Sequence, residues 1–248
     1  MSSLFEVFEV HRLSEPLFSI AGHPIAFTNS ARSMFAGVVV SAAFMFFAMA
    51  PRAVIPGRIQ LLAEKLYDLV AGMVVGNAGE DAKPFFPLVF SIFMYLFIGN
   101  FLGLIPGVFG VTSHVIVNFA LAIVLFSVII VTGFVKHGLH FFMLFVPKGT
   151  PIAVAPVLAF IEFFSFSVRP FSLSLRLFGN MLAGHLVLGV FAGFIASLAL
   201  SGWLAGLSVV PLVADMAIIG FEVFVAFLQA YIYSILASVY LRDAIEMH

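Results

Sequence analysis

The 248-residue chain is predicted to be an all-α integral membrane protein. Hydrophobic residues make up 63% of it and charged residues 9%, whereas soluble domains carry roughly 25% charged. Five apolar segments are each long enough to cross a bilayer, which takes about twenty residues of helix. The last two carry polar residues at helical spacing, a pattern that contact with lipid alone would disfavour. A formal net charge of −1 leaves no basic surface for nucleic acid, and the absence of cysteine excludes disulfides and thiolate metal sites.

The chain reads as a single membrane domain, 1–248. Residues 1–30 mix Glu6, Glu9, Arg12, Glu15, Pro16 and Pro24 without the basic start and apolar run of a signal peptide, and are expected to form an outer N-terminal segment. Segments 31–50, 84–105 and 111–135 are ordinary crossings. Between the first two, 51–83 is an inner amphipathic connector. Leu61, Leu62, Leu66, Leu69 and Val70 recur there at helical spacing against Glu64, Lys65 and Asp68, the pattern of an interfacial helix. His137 to Lys148 is a second surface piece, too short to cross. Segments 151–200 and 203–242 are too long for a perpendicular path, since forty residues at a rise of about 1.5 Å give ~60 Å, twice the hydrocarbon thickness. They are expected to tilt strongly or kink at Pro151, Pro156, Pro170 or Pro211, and to fold back on each other as a hairpin at Ser201-Gly202.

Orientation follows from the basic residues. Arg52, Arg58, Lys65 and Lys83 lie in the first connector, Lys136 and Lys148 in 136–150, and Arg242 in the tail, whereas 106–112 and 200–210 hold none. Five crossings then place the N-terminus outside and the C-terminus inside, with Arg12 and Arg32 on the outer side.

The two long segments hold the chemistry. Glu162, Ser165, Arg169, Ser172, Arg176 and Asn180 are spaced three or four apart and fall on one helix face. A charge at the bilayer centre costs roughly 2.5–3.5 kcal/mol even on lenient scales, so these residues face protein or water. On the last segment Asp215, Glu222 and Gln229 recur every seven residues, with Tyr233 and Tyr240 close to the same side. Two such stripes facing each other would line a polar seam. Within it Arg176 cannot become neutral, while the carboxylates and His185 can exchange protons. A fixed cation set into a proton path prevents leak.

Three runs then carry a resemblance. Ser174-Leu175-Arg176-Leu177-Phe178-Gly179-Asn180-Met181-Leu182-Ala183-Gly184-His185 is similar to the signature of subunit a of the F-type ATP synthases. Leu228-Gln229-Ala230-Tyr231-Ile232-Tyr233, followed by Val239-Tyr240-Leu241, resembles the C-terminal helix of that family. Asn100-Phe101-Leu102-Gly103-Leu104-Ile105-Pro106-Gly107 resembles the end of its second span. The resemblance covers nearly the whole chain in the right order.

It implies proton translocation by a stator subunit offering two offset half-channels to a rotating ring. Arg176 matches the essential arginine that separates them, and Asn180 and Gln229 match its polar neighbours. Glu162 matches an acid on the release side, and Glu222 with His185 an acid–imidazole pair on the uptake side. Asp215 stands near the outer end as a funnel residue or interfacial acid, and Arg169 has no matched role. Many bacterial members exchange the acid and the imidazole, so the order here points to a mitochondrial-like or related bacterial branch. The implied partners are the c-subunit rotor ring, b-type peripheral stalk subunits, other ATP synthase subunits and membrane lipids. The implied membrane is the bacterial inner (plasma) membrane, with the inner mitochondrial membrane as the alternative. No cofactor is expected, and the chain is not itself expected to be an enzyme, since no phosphate-binding glycine loop occurs in it.

Other functions make different demands. A stand-alone cation/proton antiporter would show repeated halves, and none stands out. An intramembrane hydrolase would need a nucleophile with its base or a His-Glu-x-x-His set, which is absent. Arg176 could instead form a structural ion pair with Glu162 or Glu222, Glu162 could reach the inner interface, and His185 and Glu222 could share a packing hydrogen bond. His137 and His140 lack a third ligand for a metal.

Overall fold

A short antiparallel hairpin precedes the first membrane helix. Strands β1 (Phe18–Ile20) and β2 (His23–Ile25) pair in the register Phe18 to Ile25, Ser19 to Pro24 and Ile20 to His23, a feature that the residue pattern did not predict. The structure, a computed structural model, describes residues 18–20, 23–25, 28–50, 55–105, 110–138, 140–141 and 154–245. The expectations for Arg12, Arg52, Lys148 and Pro151 fall outside these.

Helix α1 (Asn29–Met49) starts where Thr28 Oγ1 accepts the Ala31 N–H at 3.2 Å, a capping bond that satisfies one of the donors a helix start leaves open. Helix α2 (Arg58–Ala78) is the expected amphipathic connector, with its buried face centred on Ala63, Leu66, Val70, Met73 and Val74. Leu66 and Val70 are buried as their spacing predicts. Leu61 and Leu62, also expected on that face, are 44% and 49% exposed. The methyl of Ala63 permits close packing, and this centres the buried stripe away from them. Gly79, at φ 75°, ends α2 by returning its N–H to the Val75 carbonyl. A 3₁₀ turn (Glu80–Phe85) containing Pro84 leads into α3 (Phe86–Gly103).

The third crossing, α4 (Val115–His137), begins four residues later than the apolar run, because Val111–Ser113 forms a separate 3₁₀ turn. Small polar side chains such as Thr112 and Ser113 compete for backbone bonds and favour such a turn over helix. Two long helices follow: α5 (Ala155–Ala199), of 45 residues, and α6 (Val209–Ile245), of 37. Pro170 lies inside α5, which continues through it, so the kink allowed there does not become a break. Gly202, at φ 65°, and the 3₁₀ turn Gly202–Ser208 reverse the chain between them. Five helical spans are long and apolar enough to cross a membrane.

The chain divides into two units. One comprises the chain up to Ala43, Tyr95–His114 and Leu177–Gln229. There α3 meets α6 where Asn100 Nδ2 donates to the Ala226 carbonyl at 3.3 Å, and Phe97 packs on Phe101 and Phe227. The other comprises Phe44–Met94, Val115–Arg176 and the chain from Ala230. Its core holds Phe93, Leu125, Ile129, Tyr233 and Leu241, with Phe126 between Phe166 and Tyr240. His137, at the end of α4, hydrogen-bonds the Ile245 carbonyl at 3.0 Å, and Lys136 pairs with Asp81. In the second unit Arg169 of α5 meets Tyr240 and Asp243 of α6 while Arg176 shares a cavity with Leu236, an antiparallel course. Both expose rows of large apolar side chains, Phe160, Phe163, Phe164 and Phe224 among them. Facing water, such rows would forfeit roughly 25 cal/mol per Å² of apolar surface; facing lipid they do not.

Candidate functional site

In the first unit a cavity of about 290 Å³ opens between α5 and α6. It is lined by Asn180, His185 and Glu222 together with Met181, Gly184 and Ala226. Glu222 reaches into it across Gly184, and its carboxylate carbon lies 2.7 Å from where a Cβ of residue 184 would stand. Both carboxylate oxygens are buried, and neither has a hydrogen-bond partner among the described residues. Leaving a buried carboxylate without a donor is costly, so the group calls for water or a passing proton. His185 shares this cavity with Glu222 without hydrogen-bonding to it, which sets aside the packing hydrogen bond as the account of the pair. The imidazole instead turns Nε2 toward Gly110.

Asp215 lies two turns before Glu222 on α6, half-buried, with its Oδ1 shielded and unpartnered among the described residues. Gln229, two turns after Glu222, is also half-buried. The seven-residue stripe thus brings Asp215, Glu222 and Gln229 to partly buried positions on one helix.

The second unit holds a different arrangement. Arg169 lies 3.7 Å from Glu162 and 3.5 Å from Asp243, with its guanidinium 4.7 Å from the centre of the Tyr240 ring. Its side chain is 23% exposed, so these contacts are screened less than a surface pair. A smaller cavity of about 140 Å³ is lined by Ser165, Arg169, Ser172, Arg176, Leu236 and Tyr240 among others. Four members of the predicted stripe therefore share one cavity, and Glu162 joins them through Arg169. Arg176 lies near the middle of α5 and is exposed, and no carboxylate among the described residues pairs with it. The structural ion pair weighed for Arg176 is thus not formed. Glu162 has Arg169 as its partner.

Sequence reasoning missed Asp243, although it continues the seven-residue register of Asp215, Glu222 and Gln229 two steps further on, and it left Arg169 without a role. The signal for both was the intramembrane charge itself, which calls for a partner. It also passed over Gly184, whose lack of a side chain makes room for Glu222.

A family model described as ATP synthase A chain matches residues 31–242. The chain is 48% identical to the ATP synthase subunit a of Mesorhizobium japonicum over 241 residues, covering 97% of this chain and 96% of the relative. It is 50% identical to that of Rhodopseudomonas palustris (strain BisB5) over 228 residues, covering 92% and 91%. To that of Rhizobium leguminosarum bv. trifolii (strain WSM2304) it is 46% identical over 243 residues, covering 98% and 95%. A match of this length, made on a chain whose charged residues line cavities between two long antiparallel helices, places the chain in the ATP synthase subunit a family.

Proposed function

We infer that the chain carries protons through a bacterial membrane as the stator subunit of a rotary ATP synthase, working with the other subunits of that complex. A c-subunit ring and b-type stalk subunits are its direct neighbours in this reading, with the N-terminus outside and the C-terminus inside. The chain makes no covalent bond itself.

The observation that carries the reading is Arg176: a permanent cation at mid-helix, exposed, with no acid of the described chain beside it. Such a charge within the membrane needs an anion, and a carboxylate presented by a rotating neighbour supplies one in turn. Protons from the outer side reach the neighbour's carboxylate by way of Asp215, Glu222 and His185, with Asn180 and Gln229 as polar wall. After nearly a full turn they leave on the inner side past Glu162. Arg176 favours the ionised form of each carboxylate that passes, which forces release before reloading. A membrane potential of 100 mV supplies about 2.3 kcal/mol for each proton moved.

Arg176→Ala tests this in the assembled complex. ATP-driven proton pumping into inverted vesicles is expected to disappear while the subunits still copurify. Normal coupled pumping by that variant would overturn the assignment.

A further inference from the structure

The turn before α4 buries polar side chains to which the proposed route gives no task. Thr112 and Ser113 are buried, and His114 is half-buried with its Nε2 shielded from solvent. Gly110 shows where the turn meets α5. A Cβ on residue 110 would stand 2.7 Å from Ser113 Oγ and 3.3 Å from His185 Nε2, with the Cα of Gly103 at 3.8 Å. Hydroxyl and imidazole therefore converge on one small space that only glycine leaves open. Ser113 Oγ also donates to the Gly110 carbonyl, which fixes it there. Ser113 Oγ and His185 Nε2 are thus no more than about 6 Å apart, a separation that one water bonding at roughly 2.7–3.2 Å on each side can bridge.

We propose that Ser113 and His114 form the outer mouth of the proton route, His114 passing protons to His185 through a water that donates to Ser113 Oγ and is held over Gly110. This rests on the reading that the cavity of His185 and Glu222 is the outer-side route. His114 stands outside the membrane spans, at the N-terminus of α4. Burial holds its imidazole below the ordinary value of 6.5. At neutral pH the ring is therefore uncharged, with one nitrogen to accept a proton and one to donate it. The other titratable groups of this unit, among the described residues, are His23 in β2, Arg32 on α1, Tyr95 on α3, His185 on α5, and Asp215 and Glu222 on α6. The two acids are the ones His185 would serve.

Because the chain has no cysteine, a single introduced thiol is its only one. Ser113→Cys and His114→Cys are each placed in the assembled complex and treated from the outer side with a membrane-impermeant methanethiosulfonate. Each variant before treatment is its own control, and the complex with the unsubstituted chain reports the background from other subunits. Treatment is expected to cut ATP-driven pumping by about tenfold in both, measured against each untreated variant, and to leave the parent unchanged, since the added group fills the space that the bridging water needs. His114→Ala is expected to slow pumping, and imidazole in the outer medium to restore most of the loss, which filling a merely structural gap would not do. Thiols that do not react from the outer side, labelling without loss of pumping, or no rescue by imidazole would each overturn the proposal. His185→Ala separates the two levels. If it blocks pumping while both thiol variants stay insensitive, the mouth lies elsewhere and the outer-route reading stands. If it pumps normally, the outer-route reading itself fails.

Discussion

The carboxylate of Glu222 occupies the space that a side chain on Gly184 would need, bringing an acid of α6 against the backbone of α5. Gly184→Ala must therefore displace Glu222 from the cavity it shares with His185. Pumping is expected to fall steeply while assembly is retained. Adding Glu222→Asp, which shortens the side chain by one methylene, should recover part of the loss. Dye-monitored acidification of inverted vesicles measures both, and an unimpaired Gly184→Ala variant would contradict the contact.

His185 and Glu222 line one cavity without hydrogen-bonding to each other, so their roles should depend on being together more than on which helix bears which group. The double exchange His185→Glu with Glu222→His is expected to pump better than either single change. Equal losses in all three would argue against coupling.

Arg169 joins two carboxylates and an aromatic ring, so its removal should leave Glu162 and Asp243 facing each other without a cation. Arg169→Gln is expected to lower the heat-inactivation midpoint of the complex. Arg169→Gln combined with Asp243→Asn should recover part of that loss, because truncating one partner of a half-exposed pair is worse than removing both. A double variant no more stable than the single one would show that the pair contributes little.

Burial of His114 has a consequence for stability as well as transport. A group whose folded pKa is depressed contributes stability that is complete above its unfolded value and is lost as pH falls. Acidification below about 6.5 should therefore destabilise the wild-type chain more than His114→Gln. Melting midpoints taken between neutral and mildly acidic pH compare the two, and parallel slopes would refute the expectation.

The spans were legible in the sequence because a run of about twenty apolar residues suits little besides a bilayer crossing. The predicted crossing at 31–50 is α1 at Asn29–Met49, and the long segment at 151–200 is α5 at Ala155–Ala199. The error at 111–114 has a local cause, since Thr112 and Ser113 were counted into an apolar run although their hydroxyls favour a turn. Helical spacing also brought out Arg169, Ser172 and Arg176, which line one cavity. Pairings between distant residues were not legible. Nothing in local spacing joins Arg169 to Asp243 or Glu222 to Gly184, because such contacts depend on how two helices lie against each other. The pairing of Phe18–Ile20 with His23–Ile25 was missed because two strands of three residues are too short to show an alternating pattern.

Pro170 sits one residue after Arg169 and six before Arg176, inside a helix that does not stop for it. Proline has no N–H to donate, so the ladder of backbone bonds lacks one rung at that point. A rod with a missing rung bends there more easily than along the rest of its length. Any sideways push on the arm bearing Arg176 would gather as flexure at this joint, while Arg169 stays moored by Glu162, Asp243 and the Tyr240 ring.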